Sequence, residues 1–351
     1  MKKRKILLIV FIILSIGLLM VYSSSHIWAQ YKENDSFYYF KRQAIFVIVG
    51  LLLLFFFSKI DYHLYQKHSL KILLVLVLIP GVGIVRGGSR SWFNLGLFAL
   101  QPSEIYKIAL IIYVSDYISH HYHQMKKLRY CLKPLIVMGI GFFLIMLQPD
   151  FGSGFVMCCS ILLMIIITPF PFRYIIFLGL SGILMIILMI ISAPYRMKRI
   201  FAFLDPFQDP LGSGFQMIQS LYAIGPGGIL GSGFDQSIQK HFYLPEPQTD
   251  FIFAIYLEEF GFIGGILLIL LYAYLFITCF NYAKKVDDLF GSFLMIGMTS
   301  MIGIQTIINL GVVVGLFPVT GVTLPLMSYG GTSLLVTLIE IGIMYNIIKS
   351  I

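Results

Sequence analysis

The chain has 351 residues, 58% of them hydrophobic and 12% charged, with a mean hydropathy of +0.90 and a formal charge of +9. A water-soluble globule carries about one quarter charged residues, so the composition excludes one and indicates a polytopic membrane protein. The excess cations are scattered over short connections and build no single face. Orientation signals and anionic lipid headgroups explain them, and nucleic acid is not an expected partner.

The apolar runs are continuous, not alternating, which selects helices over a closed barrel in a solvent where every backbone group must be paired internally. Ten spans are predicted, near 6–24, 43–58, 71–86, 101–119, 133–148, 153–170, 174–193, 251–282, 291–317 and 325–348. The first follows Met1-Lys2-Lys3-Arg4-Lys5 and ends in Ser23-Ser24-Ser25 without a small-x-small cleavage site, so it is read as a retained span. Glu104, Lys107 and Asp116 interrupt the fourth. The eighth is overlong, and a break is expected near Gly261, Gly264 and Gly265. The expected fold is an all-α polytopic membrane protein of about ten transmembrane helices, one domain over 1–351, with a long outer loop, 194–250, between spans seven and eight. Cys131, Cys158, Cys159 and Cys279 fall in spans or a cytoplasmic connection, so no disulfide framework is implied. The N-terminus, 59–71, 120–133, 171–174, 283–290 and the C-terminus hold 15 of the 25 Lys and Arg. That bias puts both termini in the cytoplasm and the 194–250 loop outside, away from nucleotide triphosphates.

Candidate chemistry follows the same order. Arg86 and Arg90 lie on an early outer loop from which they can join the same substrate and phosphate site as the cations of the 194–250 loop. Glu104 and Lys107, three residues apart on one face of a membrane helix, either neutralise each other or form a polar wall of a substrate cavity. His120, His121 and His123 with Asp116 are cytoplasmic and poorly arranged for a metal. Asp150 falls on the outer side, where it can pair with such groups. Arg196, Lys198 and Arg199, with Lys240 further along, are either interfacial anchors or a clamp for a lipid-linked phosphate or pyrophosphate. Asp205 and Asp209 precede prolines and read as turn residues. The run Gly225-Pro226-Gly227-Gly228-Ile229-Leu230-Gly231-Ser232-Gly233 lacks a Gly-Lys-Ser/Thr ending, so it signals close backbone approach, not a nucleotide loop. Asp250 stands where the loop meets the eighth span. Its ordinary reading is a helix N-cap; its functional reading is a general base whose pKa is raised by partial shielding. Glu258 and Glu259 lie two turns further in, where burial demands hydrogen bonds or protonation.

Four blocks together carry a resemblance. They are Arg90-Ser91-Trp92-Phe93-Asn94-Leu95-Gly96 with Gln101-Pro102-Ser103-Glu104-Ile105-Tyr106-Lys107; Gln148-Pro149-Asp150-Phe151-Gly152; Gly212-Ser213-Gly214-Phe215-Gln216 through Tyr243-Leu244-Pro245-Glu246 and Thr249-Asp250-Phe251-Ile252-Phe253; and Pro318-Val319-Thr320-Gly321-Val322-Thr323-Leu324-Pro325 with Ser328-Tyr329-Gly330-Gly331. In this order, over essentially the whole chain, the sequence resembles the SEDS family (shape, elongation, division and sporulation), the FtsW/RodA/SpoVE group, with loop wording nearest the FtsW/SpoVE branch. The resemblance implies ten membrane helices, peptidoglycan glycosyltransferase activity on lipid II, and a class B penicillin-binding protein as partner. It also implies that Asp250 is the catalytic aspartate and that Glu104 and Lys107 belong to the polar cavity. No cofactor is certain: magnesium or manganese bridging the pyrophosphate is compatible with this chemistry, but no ligand set is legible. Two rival functions use the same features, a lipid II flippase and a non-catalytic scaffold of a cell-wall complex. Neither requires a long outer loop ending in an acid.

Overall fold

The computed structural model describes residues 3–85, 93–94, 99–148, 150–191 and 194–351. Among them, ten helices of 17 to 32 residues fall on the ten expected spans: α1 (Arg4–Glu33), α2 (Tyr38–Phe57), α4 (Ser69–Val85), α5 (Pro102–His121), α6 (Leu128–Met146), α7 (Phe151–Ile167), α8 (Phe172–Ile191), α11 (Ile252–Ala283), α12 (Leu289–Val313) and α13 (Gly331–Ser350). Short α3 (His63–Lys67) lies between the second and third. Six of them, α1, α2, α6, α11, α12 and α13, are long and apolar enough to cross a membrane by length and composition. The described strand content is one two-residue antiparallel pairing, Phe93 with Leu100 and Asn94 with Ala99.

Two helices form the centre. α12 packs against α5, α7, α11 and α13, and α5 against α4, α6, α7 and α12. This explains the charges that interrupt α5: in the middle of a bundle they find protein partners, whereas on a lipid face they would not. Helices α2, α6, α8 and α11 expose large apolar side chains, among them Leu52, Phe143, Phe177 and Phe262. An apolar exterior around a partly polar interior is what a lipid solvent selects.

The expected break in α11 falls at Gly261, with φ 64° and ψ −166°, a region open essentially to glycine alone. A broken helix frees main-chain groups, and the glycine run of the outer loop satisfies them. The amides of Ser232 and Gly233 donate to the Glu258 and Glu259 carbonyls at 2.9 and 3.0 Å. Those of Phe262 and Ile263 donate to the Gly228 and Ile229 carbonyls at 2.9 and 3.1 Å. Close backbone approach is therefore the use of those glycines.

The 194–250 segment is more ordered than a polar loop. It contains α9 (Pro194–Leu204), a single 3₁₀ turn at Pro206–Gln208 and α10 (Phe215–Gly227). Helix α10 buries Met217, Ile218, Ser220 and Ala223, and the Ser220 hydroxyl donates to the Val313 carbonyl at 2.8 Å. Asp205 and Asp209 close turns, accepting from the Phe207 and Ser213 amides.

Candidate active site

Asp250 sits in the turn that delivers the chain from the loop into α11. Phe251, fully buried, occupies the N-cap position of that helix and makes no side-chain cap. The ordinary reading of Asp250 as the cap is thus not realised. Its carboxylate accepts instead from the Thr249 hydroxyl at 2.9 Å, and that hydroxyl also reaches the Glu246 carbonyl at 2.8 Å. Asp250 is half-buried in the wall of a cavity of about 470 Å³. Burial pushes its carboxyl above the usual value of 3.8, and the Glu246 carboxylate adds to this. The Thr249 hydrogen bond and the Arg199 charge work against it.

The other walls come from distant parts of the chain at the same end of the bundle: Arg42 and Phe46 on α2, Gln101 before α5, Gly321 and Thr323 after α12, and Tyr329, Gly330, Gly331 and Ser333 at the start of α13. Arg42 is a cation the sequence reading missed. It donates to the Tyr38 hydroxyl at 2.6 Å and lies over that ring. In the sequence it is one of two adjacent cations at the edge of a span, indistinguishable from an interfacial anchor.

Glu104 and Lys107 pair at 2.7 Å and are almost completely buried. They stand behind the cavity wall: the Lys107 ammonium donates to Gln305 Oε1 at 3.3 Å, and Gln305 Nε2 donates to the Thr323 carbonyl at 3.1 Å. Asp150 does not pair with either. It caps α7 through the Ser153 amide at 3.1 Å and accepts from Gln101 Nε2 at 2.7 Å and the Ser103 hydroxyl at 2.9 Å. One acid thereby ties the start of α7 to the residue that lines the cavity ahead of α5. Arg90, and with it Arg86, lies outside the described residues.

The basic cluster divides. Lys198 and Arg199 on α9 line a second cavity of about 490 Å³, with Gly212, Ser213, Gln216, Pro245 and Val319 among its walls. Arg199 also donates to the Val319 carbonyl at 3.2 Å. The two cavities adjoin along the chain, since Pro245 and Val319 face one, and Glu246 and Gly321 the other. Arg196, half-buried, lies 4.0 Å from Met146 Sδ. Lys240 does not belong with them. Its ammonium is fully buried between Asp235 and Glu259, with the Ser23 hydroxyl at 3.3 Å, so its charge is spent inside the fold. Glu258 is likewise structural, accepting from the Ser237 hydroxyl at 2.5 Å and the Ile238 amide at 2.7 Å. Adjacent acids on α11 thus hold the 232–240 segment down. Among the described residues no three His, Cys, Asp or Glu side chains cluster to hold a metal ion.

The FtsW/RodA/SpoVE family model, described as a cell cycle protein, matches residues 3–351. The chain belongs to this family. Stage V sporulation protein E of Bacillus subtilis (strain 168) is 48% identical over 349 residues, covering 97% of this chain and 95% of the relative. The probable peptidoglycan glycosyltransferase FtsW of Trichlorobacter lovleyi is 40% identical, covering 97% and 92%. Among solved structures, a chain from a peptidoglycan synthase complex, described for its coordination of polymerization and crosslinking, superimposes with a TM-score of 0.81 at 28% identity. The match covers 99% of this chain and 97% of that one. The rod shape determining protein RodA of Thermus thermophilus, at 24% identity and a TM-score of 0.71 over 99% and 96% of the two chains, shares the fold.

Proposed function

We propose that this protein is a peptidoglycan glycosyltransferase that polymerises lipid II at the outer face of the cytoplasmic membrane, with Asp250 as general base. The observation that carries the reading is a half-buried carboxylate on a cavity that adjoins a second, cation-lined one. Relatives named as probable peptidoglycan glycosyltransferases support the reaction class. The excess of Lys and Arg on the opposite connections supports an outward-facing site and cytoplasmic termini.

In this reading Asp250 takes the proton of the acceptor sugar 4-hydroxyl as that oxygen attacks the anomeric carbon of the lipid-linked donor. The bond from that carbon to the pyrophosphate oxygen breaks, and undecaprenyl pyrophosphate leaves with the electron pair. One carboxylate suffices for direct displacement with inversion, because the leaving group is already activated. Lys198 and Arg199, with Arg196 just before them on α9, offset the charge that develops on the pyrophosphate. Glu104, Lys107 and Asp150 keep the walls in place from behind. A divalent cation, if one assists, would find Glu246 and Asp250 as cavity carboxylates and draw its other ligands from pyrophosphate and water. The partner in this reading is a class B penicillin-binding protein that cross-links the product, supported by the likeness to a chain of a complex that couples polymerization to crosslinking.

The test uses the protein in nanodiscs that retain its membrane partners, with fluorescent lipid II as substrate. Glycan ladders are expected. Movement of lipid II between leaflets of a vesicle with no polymer formed would replace the enzyme with a transporter.

A further inference from the structure

Helix α12 presents two carboxamides one turn apart, Gln305 and Asn309, both buried. Asn309 is 1% exposed, and its Nδ2 donates to two main-chain carbonyls at once, Asp250 at 2.7 Å and Val322 at 2.8 Å. Both neighbours are acceptors, so the nitrogen of this amide must face them, and its two hydrogens are both used. Gln305 donates to the next carbonyl along, Thr323, at 3.1 Å. The central helix thus grips two successive carbonyls of one cavity wall, and through Asn309 it also grips the main chain of the acid beside that wall. Asp250 itself lies in irregular chain between Glu246 and α11. An anchor on a deeply packed helix is what such a segment needs to hold a side chain in place.

We infer that Asn309 is a positioning residue of this site, setting where Asp250 stands relative to the 321–323 wall and hence to a hydroxyl bound between them. The inference rests on the reading of Asp250 as the base. Asn309 does not line the cavity, so its loss alters placement and not substrate contact. A displacement of about 1 Å costs about 100-fold in rate, which sets the scale of the effect.

Polymerisation and binding of fluorescent lipid II are measured on the full chain in nanodiscs, with rates normalised to the folded fraction seen in size exclusion and thermal unfolding. Asn309→Ala should bind lipid II within about threefold of the wild type while kcat falls about 10- to 100-fold. Asn309→Ser, which keeps one donor, should fall between the two; if the alanine variant does not fold, the serine variant is read alone. A wild-type kcat in the folded serine variant, or binding and kcat falling together, overturns the proposal. Asp250→Asn is measured alongside. Polymer at the wild-type rate from that variant sinks the base reading. No polymer from it, with wild-type kcat in the Asn309 variants, sinks only the positioning role.

Discussion

Asp250 combines two demands that pull its protonation in opposite directions. Partial burial favours the neutral acid, yet a base must be ionised to accept a proton. Its folded-state pKa is raised above 3.8, so between those two values the folded chain holds more protons than the unfolded one, and stability falls as pH rises through that window. The cost is absent below pH 3.8 and is complete once the folded carboxyl ionises. Asp250→Asn is therefore expected to raise the unfolding temperature at pH 7, a gain that disappears below pH 3.8, while the wild-type polymerisation rate should drop with an acid limb lying above 3.8. An unfolding temperature lowered at pH 7 would contradict the assigned environment. Lys240 shows the opposite case, a cation whose value lies in its burial. Lys240→Met leaves Asp235 and Glu259 facing an apolar side chain. Breaking a buried pair in this way costs about 3–5 kcal/mol, to be read in thermal unfolding. A variant of normal stability that merely binds lipid II more weakly would return Lys240 to the phosphate set.

Among the elements, the break in α11 has the clearest energetic signature. A Cβ at Gly261 would lie 2.3 Å from the Gly231 amide nitrogen and 2.6 Å from the Ile229 carbonyl oxygen, both main-chain atoms that cannot step aside. Gly261→Ala should destabilise by at least about 1–3 kcal/mol from backbone strain alone, with the glycine run released from α11. Amide exchange at Ser232 and Gly233 reports that release directly, and unchanged protection there would show that the loop is held by other contacts. This break was legible in the sequence, because a run too long for the bilayer with three clustered glycines must bend somewhere. The ten long helices were legible for a related reason: lipid forces apolar residues into unbroken runs. Helices α9 and α10 were not. Charges and glycines around them mimic irregular chain, and α10 is held by packing on α11 and α12 that no local pattern announces. At the site, Asp250 stood out by its place at a loop-to-span junction. Arg42 and the partners of Lys240 did not, since each depends on chain brought from afar. Gln305 and Asn309 were missed, although polar residues four apart within a span carry a signal that intramembrane polarity makes readable.

Across the whole molecule, polar chemistry is concentrated at one end of the bundle. The starts of α2, α5, α7 and α13 and the approach to α11 converge there, while Tyr62, Asp288 and Asn346 join at the other end. Between them the buried Glu104–Lys107 pair and the carboxamides of α12 connect the helix core to the cavity walls. The result is a rigid central support beneath a site assembled from loops, in an exterior suited to lipid. The central claim is that Asp250 performs the proton transfer, and the most direct measurement is the rate at which Asp250→Asn converts bound fluorescent lipid II into glycan chains. The account predicts a folded variant that binds lipid II and yields no polymer above background. Polymer at the wild-type rate from that variant would contradict it.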